Sequence, residues 1–221
     1  MQDDVFDQHI ESRAPVFISD QFLFEAERTL EKYFDRGSPF WNIYRRCLQN
    51  TTRAILITDR LQQSPKVHPK TLAAAYVRVN ALFQIGAAAV CSRYHRMRDF
   101  DRIQTFADNV SLGWQILDDF QDIEEDLERK RYNYAANVIL CAAGVGGKTH
   151  RRLIDQIGYT LLISSAGENL LTEVELRFER GFRALEHLAL PAIGKCLRAY
   201  IRMIRNMQEG LHRRRVRRIF G

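Results

Sequence analysis

Three carboxylates, Asp118, Asp119 and Asp122, follow the spacing D-D-x-x-D. On a helix, residues i and i+4 lie one above the other, and residue i+1 lies about 100° round the axis. Asp118 and Asp122 therefore share a face, Asp119 meets Asp122 at i, i+3, and Asp126 continues the row. Like charges at these spacings repel by roughly 0.2–0.5 kcal/mol per pair. A hard divalent cation with oxygen ligands removes that repulsion, and Mg²⁺ in particular is usually shared between carboxylates and a substrate phosphate. The acids also adjoin an apolar stripe, Val110–Trp114–Leu117. The plain alternative is a solvated acidic face. A second D-D-x-x-D cluster, Asp3, Asp4 and Asp7, stands near the N-terminus. Two such clusters facing one cavity would hold several Mg²⁺ ions, bind a diphosphate and stabilise the charge that develops as it leaves.

Residues 142–149, AAGVGGKT, approach a phosphate-binding Gly-rich loop with Ala at the first glycine. In that reading Lys148 and Thr149 would serve a nucleotide and its Mg²⁺. The chain shows no alternating strand–helix pattern to support such a loop, so a glycine-rich turn between helices is the expectation. No H-x-x-x-H pair marks a zinc site among the six histidines. Cys47, Cys91, Cys141 and Cys196 form no CxxC pair and read as reduced core thiols of a cytoplasmic protein.

The elements that must position the acids read as helices throughout. Pro15, Pro39, Pro65, Pro69 and Pro191 fall where helices begin or break. Gly37-Ser38-Pro39 is a stop, an N-cap and a first-turn proline in succession. Apolar stripes at helical spacing, Leu72–Tyr76–Val79–Phe83–Ala87 and Ile103–Phe106–Val110–Trp114–Leu117, predict inward faces. Helices are predicted near 16–35, 40–62, 70–97, 99–129, 132–141, 148–162, 168–188 and 191–212. The expectation is an all-α helical bundle around a central cavity, one domain over residues 1–221.

The bulk numbers fit this. At 221 residues and 46 % apolar composition a single sizeable core is possible. No segment reaches the roughly 18 uninterrupted apolar residues of a membrane span, so none is expected. Residues 118–128 hold seven acids, whereas residues 213–218 hold five arginines within a net charge of +6. The basic stretch 211–221 reads as a solvated tail. Without interleaved aromatics or finger spacing, nucleic-acid binding is not expected.

Taken together, these motifs resemble those of the trans-isoprenyl diphosphate synthase (polyprenyl synthetase) family and its terpene-synthase relatives. The carriers are Asp3-Asp4-Val5-Phe6-Asp7, Ser19-Asp20-Gln21-Phe22-Leu23-Phe24-Glu25-Ala26, and Gln115-Ile116-Leu117-Asp118-Asp119-Phe120-Gln121-Asp122. The likeness covers residues 1–140. It implies a class I isoprenoid synthase-like bundle in which Asp3, Asp4, Asp118 and Asp119 are catalytic and both triads, with Asp7 and Asp122, hold Mg²⁺. It implies that an allylic prenyl diphosphate is ionised and that an acceptor captures the cation. Arg13, Gln115, Arg78, Lys130 and Arg131 would bind substrate, and Phe6, Phe22, Phe83 and Trp114 would line a prenyl tunnel. The family's mid-chain Lys-Thr finds only an offset counterpart in Lys70-Thr71. Its Gly-Lys-x-x-Arg segment, which holds isopentenyl diphosphate, has no counterpart ahead of Asp3. A terpene synthase on the same core and a non-catalytic prenyl-diphosphate-binding subunit are the alternatives. A homodimer is the family expectation, with a heteromer as the alternative.

Overall fold

The computed structural model describes residues 14–144, 149–188 and 190–220. Among them the regular elements are helices: α1 (Ala14–Leu30), α2 (Pro39–Gln62), α3 (Pro69–Val79), a 3₁₀ turn (Asn80–Phe83), α4 (Gln84–Arg93), α5 (Met97–Gln121), α6 (Ile123–Glu128), α7 (Tyr134–Ala142), α8 (His150–Ile163), α9 (Ala166–Leu185), a second 3₁₀ turn (Glu186–Leu188) and α10 (Pro191–Phe220). The all-α expectation holds. Asp3, Asp4, Asp7, Arg13 and Phe6 lie outside the described residues, as does Lys148.

Local chemistry sets most boundaries. The Ser38 hydroxyl accepts from the Phe40 N–H, with Pro39 in the first turn of α2. His68 plays the same part for α3, where Nδ1 accepts from the Lys70 N–H ahead of Pro69. The Asn133 side chain caps α7 by accepting from the Ala136 N–H at 2.9 Å. Val138–Cys141, which a nucleotide loop would need as a strand, are helical.

Two predicted helices are broken. The first break is the 3₁₀ turn at Asn80–Phe83. There the Asn80 side chain donates back to the Tyr76 carbonyl, and the Thr51 hydroxyl on α2 takes up the Arg78 carbonyl at 3.2 Å. With its carbonyls satisfied from the side, the chain tightens without a proline or glycine. The second break is at Asp122, between α5 and α6. Acids crowd the negative C-terminal end of α5, and its last turn carries no base to offset them. Restarting at Ile123 puts Glu124, Glu125 and Asp126 in the first turn of α6, where the helix dipole favours them.

α5 is the axis of the molecule. It packs along α9 on one side and against α3, α4 and α7 on the others, while α10 lies on α9. Gly113 and Gly181 allow the close approach of α5 to α9. A Cβ on Gly181 would sit 2.7 Å from Val110 Cγ2. The main core gathers Leu72, Tyr76, Leu112, Ile116, Leu171 and Phe178 among others. A smaller cluster of Phe34, Phe40, Tyr44, Ala88, Cys91 and Phe100 surrounds the start of α5. The bundle's centre is filled, so the cavity expected there lies instead on the flank of α5.

The basic stretch continues α10 as helix to Phe220, with residues 212–214 and 216–218 exposed to solvent as expected and Arg215 paired with Glu168 at 3.0 Å. Cys47 and Cys91 are buried, but Cys141 and Cys196 are exposed, so only half of the thiols belong to the core. The stretch Pro69–Arg93 is long and apolar enough to cross a membrane by length and composition, and a third of its most apolar window is buried in the bundle.

Candidate functional site

A cavity of about 540 Å³ runs along the outer flank of α5 beneath the 3₁₀ turn. Ile103, Phe106, Val110, Trp114 and Asp118 line it from α5, and Asn80 and Phe83 face it from the turn. The α5 residues form one row at i, i+3, i+7, i+11 and i+15, which spans about 22 Å of helix. The predicted stripe is therefore mostly cavity wall, whereas the buried row of α5 is Leu112, Ile116 and Asp119. Trp114 closes the floor by stacking edge-on against Tyr200 and Phe178, with ring centroids 4.5 and 5.7 Å away. At the Phe83 end, Gln84 donates to Asp108 at 2.6 Å and ties the 3₁₀ turn to α5. Burial raises the Asp108 carboxyl, and the Gln84 bond partly offsets it.

The D-D-x-x-D triad divides at this site. Asp118 is exposed and lines the cavity mouth. Asp122 is exposed one turn further on, its N–H bonded to the Asp118 carbonyl at 2.9 Å. Asp119 points inward. Its Oδ2 accepts from the Tyr76 hydroxyl at 2.8 Å and the Tyr134 N–H at 2.7 Å, and its Oδ1 accepts from Gln115 Nε2 at 3.1 Å. Burial pushes the Asp119 carboxyl up to about 7 against these three donors, and the charge of Asp126 adds to the rise. Burial also raises the Tyr76 hydroxyl, helped by the facing carboxylate.

The buried chain of bonds continues outward. Gln62 Nε2 donates to the Tyr76 hydroxyl at 2.9 Å, and Arg131 Nη2 donates to Gln62 Oε1 at 2.7 Å. Asn133 Nδ2 bridges the Asp119 carbonyl and the Asp126 carboxylate. Burial raises Asp126, and Asn133 and Arg131 counter that rise. This network clamps α2, α3, α5 and α7 together and fixes the strip that carries Asp118.

The remaining predicted residues scatter. Gln115 lines the cavity beside Asp118 while tied to Asp119. Arg131 is half-buried and engaged with Gln62. Lys130 is exposed with a left-handed backbone. Arg78 lines a different cavity on the α2 side of α3, together with Lys70 and Thr71. Phe83 and Trp114 do line the cavity by Asp118, whereas Phe22 is 69 % exposed on α1. Asn80 and Ser111 were not singled out from the sequence, and Tyr76 was read only as part of an inward apolar stripe.

For a divalent cation, the carboxylates nearest the α5 end are those of Asp118 and Asp122, where the helix carbonyls already favour positive charge. They suit Mg²⁺ as a partial ligand set that needs further oxygens. Among the described residues, no three His, Cys, Asp or Glu side chains gather as a complete metal site. In comparisons with known proteins, no protein-family model, no curated protein and no solved structure matches this chain.

Proposed function

We propose that the chain is a class I isoprenoid enzyme that binds an allylic prenyl diphosphate along α5 and promotes loss of the diphosphate. The observation that carries this reading is the continuity of one surface, where an apolar, aromatic-walled groove ends at exposed carboxylates. A molecule suited to it is apolar along its length and highly anionic at one end, with a cation between that end and the acids. Asp118 and Asp122, joined by Asp3, Asp4 and Asp7, would hold Mg²⁺. Mg²⁺, when bound, neutralises phosphate oxygens and assists their departure as a Lewis acid. Asp119 acts by position, since its bonds to Gln115, Tyr76 and Tyr134 hold the helix strip rigid. Phe106 and Trp114 exclude water and offer ring faces to a developing allylic cation.

The acceptor sets the product. Isopentenyl diphosphate gives a longer diphosphate, while internal closure or water gives a hydrocarbon or an alcohol. The test is incubation of the protein with Mg²⁺ and allylic diphosphates of increasing length, with and without isopentenyl diphosphate. Expected products are longer diphosphates that require the co-substrate. Asp118→Ala is expected to lower turnover at least 100-fold, or about 2.7 kcal/mol. Unchanged turnover and unchanged Mg²⁺-dependent diphosphate binding in Asp118→Ala would sink the reading.

A further inference from the structure

Residues 212–218 of α10 hold five arginines and no acid. α10 runs antiparallel to α9. Arg205 pairs with Glu175, Gln208 donates to the Thr172 hydroxyl at 3.0 Å, and Leu211 lies over Gly167. Because α9 begins at Ala166, the residues of α10 beyond Arg215 run past its first turn. Val216, Arg217 and Arg218 are exposed there, as are Arg213 and Arg214 before them. Arg213 pairs with Glu209 and Arg215 with Glu168. Among the described residues Arg214, Arg217 and Arg218 have no acid partner. They stand at i, i+3 and i+4, where like charges repel. The helix dipole favours Arg217 and Arg218 in the last turn but not Arg213 and Arg214 one turn earlier. Val216 is 40 % exposed, and Ile219 and Phe220 follow it at i+3 and i+4, the spacing of an apolar stripe. Val216 is five residues from Leu211, or about 140° round the axis, away from the side packed on α9. In helical register Arg213 and Arg217 fall beside it.

We infer that the end of α10 docks on an anionic membrane surface, with Val216 in the head-group layer and Arg213, Arg214, Arg217 and Arg218 against acidic lipids. Cations beside an apolar stripe are the pattern of a helix that lies in a membrane interface. The cations are spread round a helix rather than gathered in a cleft, which suits a plane of negative charge more than one bound anion. Such attraction acts over a Debye length of about 8 Å at physiological ionic strength, so a helix end that runs past its neighbour brings the charges within reach. A nucleic acid would use the same charges but leave the apolar spacing idle. No Phe, Tyr or Trp lies between Arg205 and Arg218 to stack on its bases. The surface is separate from the Asp118 cavity and does not depend on the function proposed for it.

The test is co-sedimentation of the full chain with phosphatidylcholine vesicles, with and without phosphatidylglycerol, in EDTA. Binding is expected only to the vesicles that contain phosphatidylglycerol, and it weakens as salt is raised. Changing Arg214, Arg217 and Arg218 together to Gln weakens it about 100-fold. Changing the same three to Lys leaves it intact, because a charged plane reads the sign of a cation and not the shape of its head. Asp118→Asn also leaves it intact. In Val216→Trp, lipids brominated in their acyl chains quench more emission than in the unsubstituted protein, whose tryptophans are Trp41 and Trp114. Thermal melts confirm that each variant is folded. Equal binding to neutral vesicles, indifference to the Gln changes, or loss of binding in the Lys variant or in Asp118→Asn would overturn the proposal. Saturable binding to single-stranded or duplex RNA, with no added quenching by vesicles, would assign the surface to a nucleic acid instead.

Discussion

At the scale of the residue, the two neighbours Asp118 and Asp119 have opposite fates. One helical step of about 100° takes the first into the cavity mouth and the second into the core. The inward one has a thermodynamic signature. The Asp119 carboxyl rises from 3.8 to about 7 in the folded chain, chiefly through burial. Between those limits the folded state keeps a proton that the unfolded chain has released. The stability this contributes is therefore full below about pH 4, is lost as pH rises and levels off above about 7. The expected span is on the order of a few kcal/mol. Asp119→Asn keeps a carbonyl acceptor for Tyr76 and Tyr134 but cannot titrate. Its urea midpoint should vary less between pH 4.5 and pH 7.5 than that of the unsubstituted protein, and an equal slope in both would refute the assignment. Lys130 supplies an independent prediction. It holds φ 59° at the end of α6, where the Arg131 N–H bonds the Asp126 carbonyl and the Lys130 N–H bonds the Leu127 carbonyl. This is a Schellman turn with lysine where glycine is favoured. Lys130→Gly should stabilise the protein by about 1 kcal/mol, seen as a raised thermal midpoint.

At the scale of the element, α5 decides the site because it is shared between core and cavity. Its outer row lines the groove and also meets α9, where Val110 and Phe106 face Gly181, while Gly113 brings the α5 backbone up to Arg177 and Val174 of α9. Gly181→Ala would drive a methyl into Val110, a β-branched side chain with little rotamer freedom. A loss of about 1–3 kcal/mol in denaturant unfolding is expected. Val110 also walls the cavity, so ligand affinity should fall with it. A neutral result would mean that the α5–α9 seam relaxes freely. Helical periodicity marked Ile103–Trp114 as an apolar face but could not say whether a second element covers it. Here the first 3₁₀ turn faces it through Asn80 and Phe83, and a cavity is left between the turn and α5. That turn was illegible because its cause, the Thr51 hydroxyl, is distant in sequence. The break at Asp122 was closer to legible, since the acid run at a helix end carries its own repulsion.

At the scale of the molecule, the bundle offers two grooves, one between the first 3₁₀ turn and α5 that ends in acids and one between α2 and α3 rimmed by bases. The chain's two tryptophans report on different parts. Trp114 lines the acid-ended cavity. Trp41 sits by the small cluster, its Nε1 donating to the Phe34 carbonyl at 3.2 Å. In a Trp41→Phe protein, filling the cavity with an apolar diphosphate in Mg²⁺ should shift the Trp114 emission to the blue. A soluble anion without an apolar chain should not. An unchanged spectrum at saturating ligand would place the hydrocarbon elsewhere. Binding should also raise the thermal midpoint, by about 2.7 kcal/mol of stability at a ligand concentration 100 times Kd.

The sequence by itself determined the helices, most of their ends and the all-α class. These follow from caps, prolines and periodicity, which act within a turn or two of the chain. It also singled out the acid run, because carboxylates at helical spacing repel wherever the helix is placed. Only the tertiary structure decided which acids face outward. Asp119 turned inward because Tyr76, Gln115 and the Tyr134 N–H converge on it from three elements. Tertiary contact likewise moved Arg78 to a different groove from Asp118 and tied Arg131 to Gln62. Spacing along one helix fixes angles about its axis, but the partner on each side is set by packing between segments far apart in the chain.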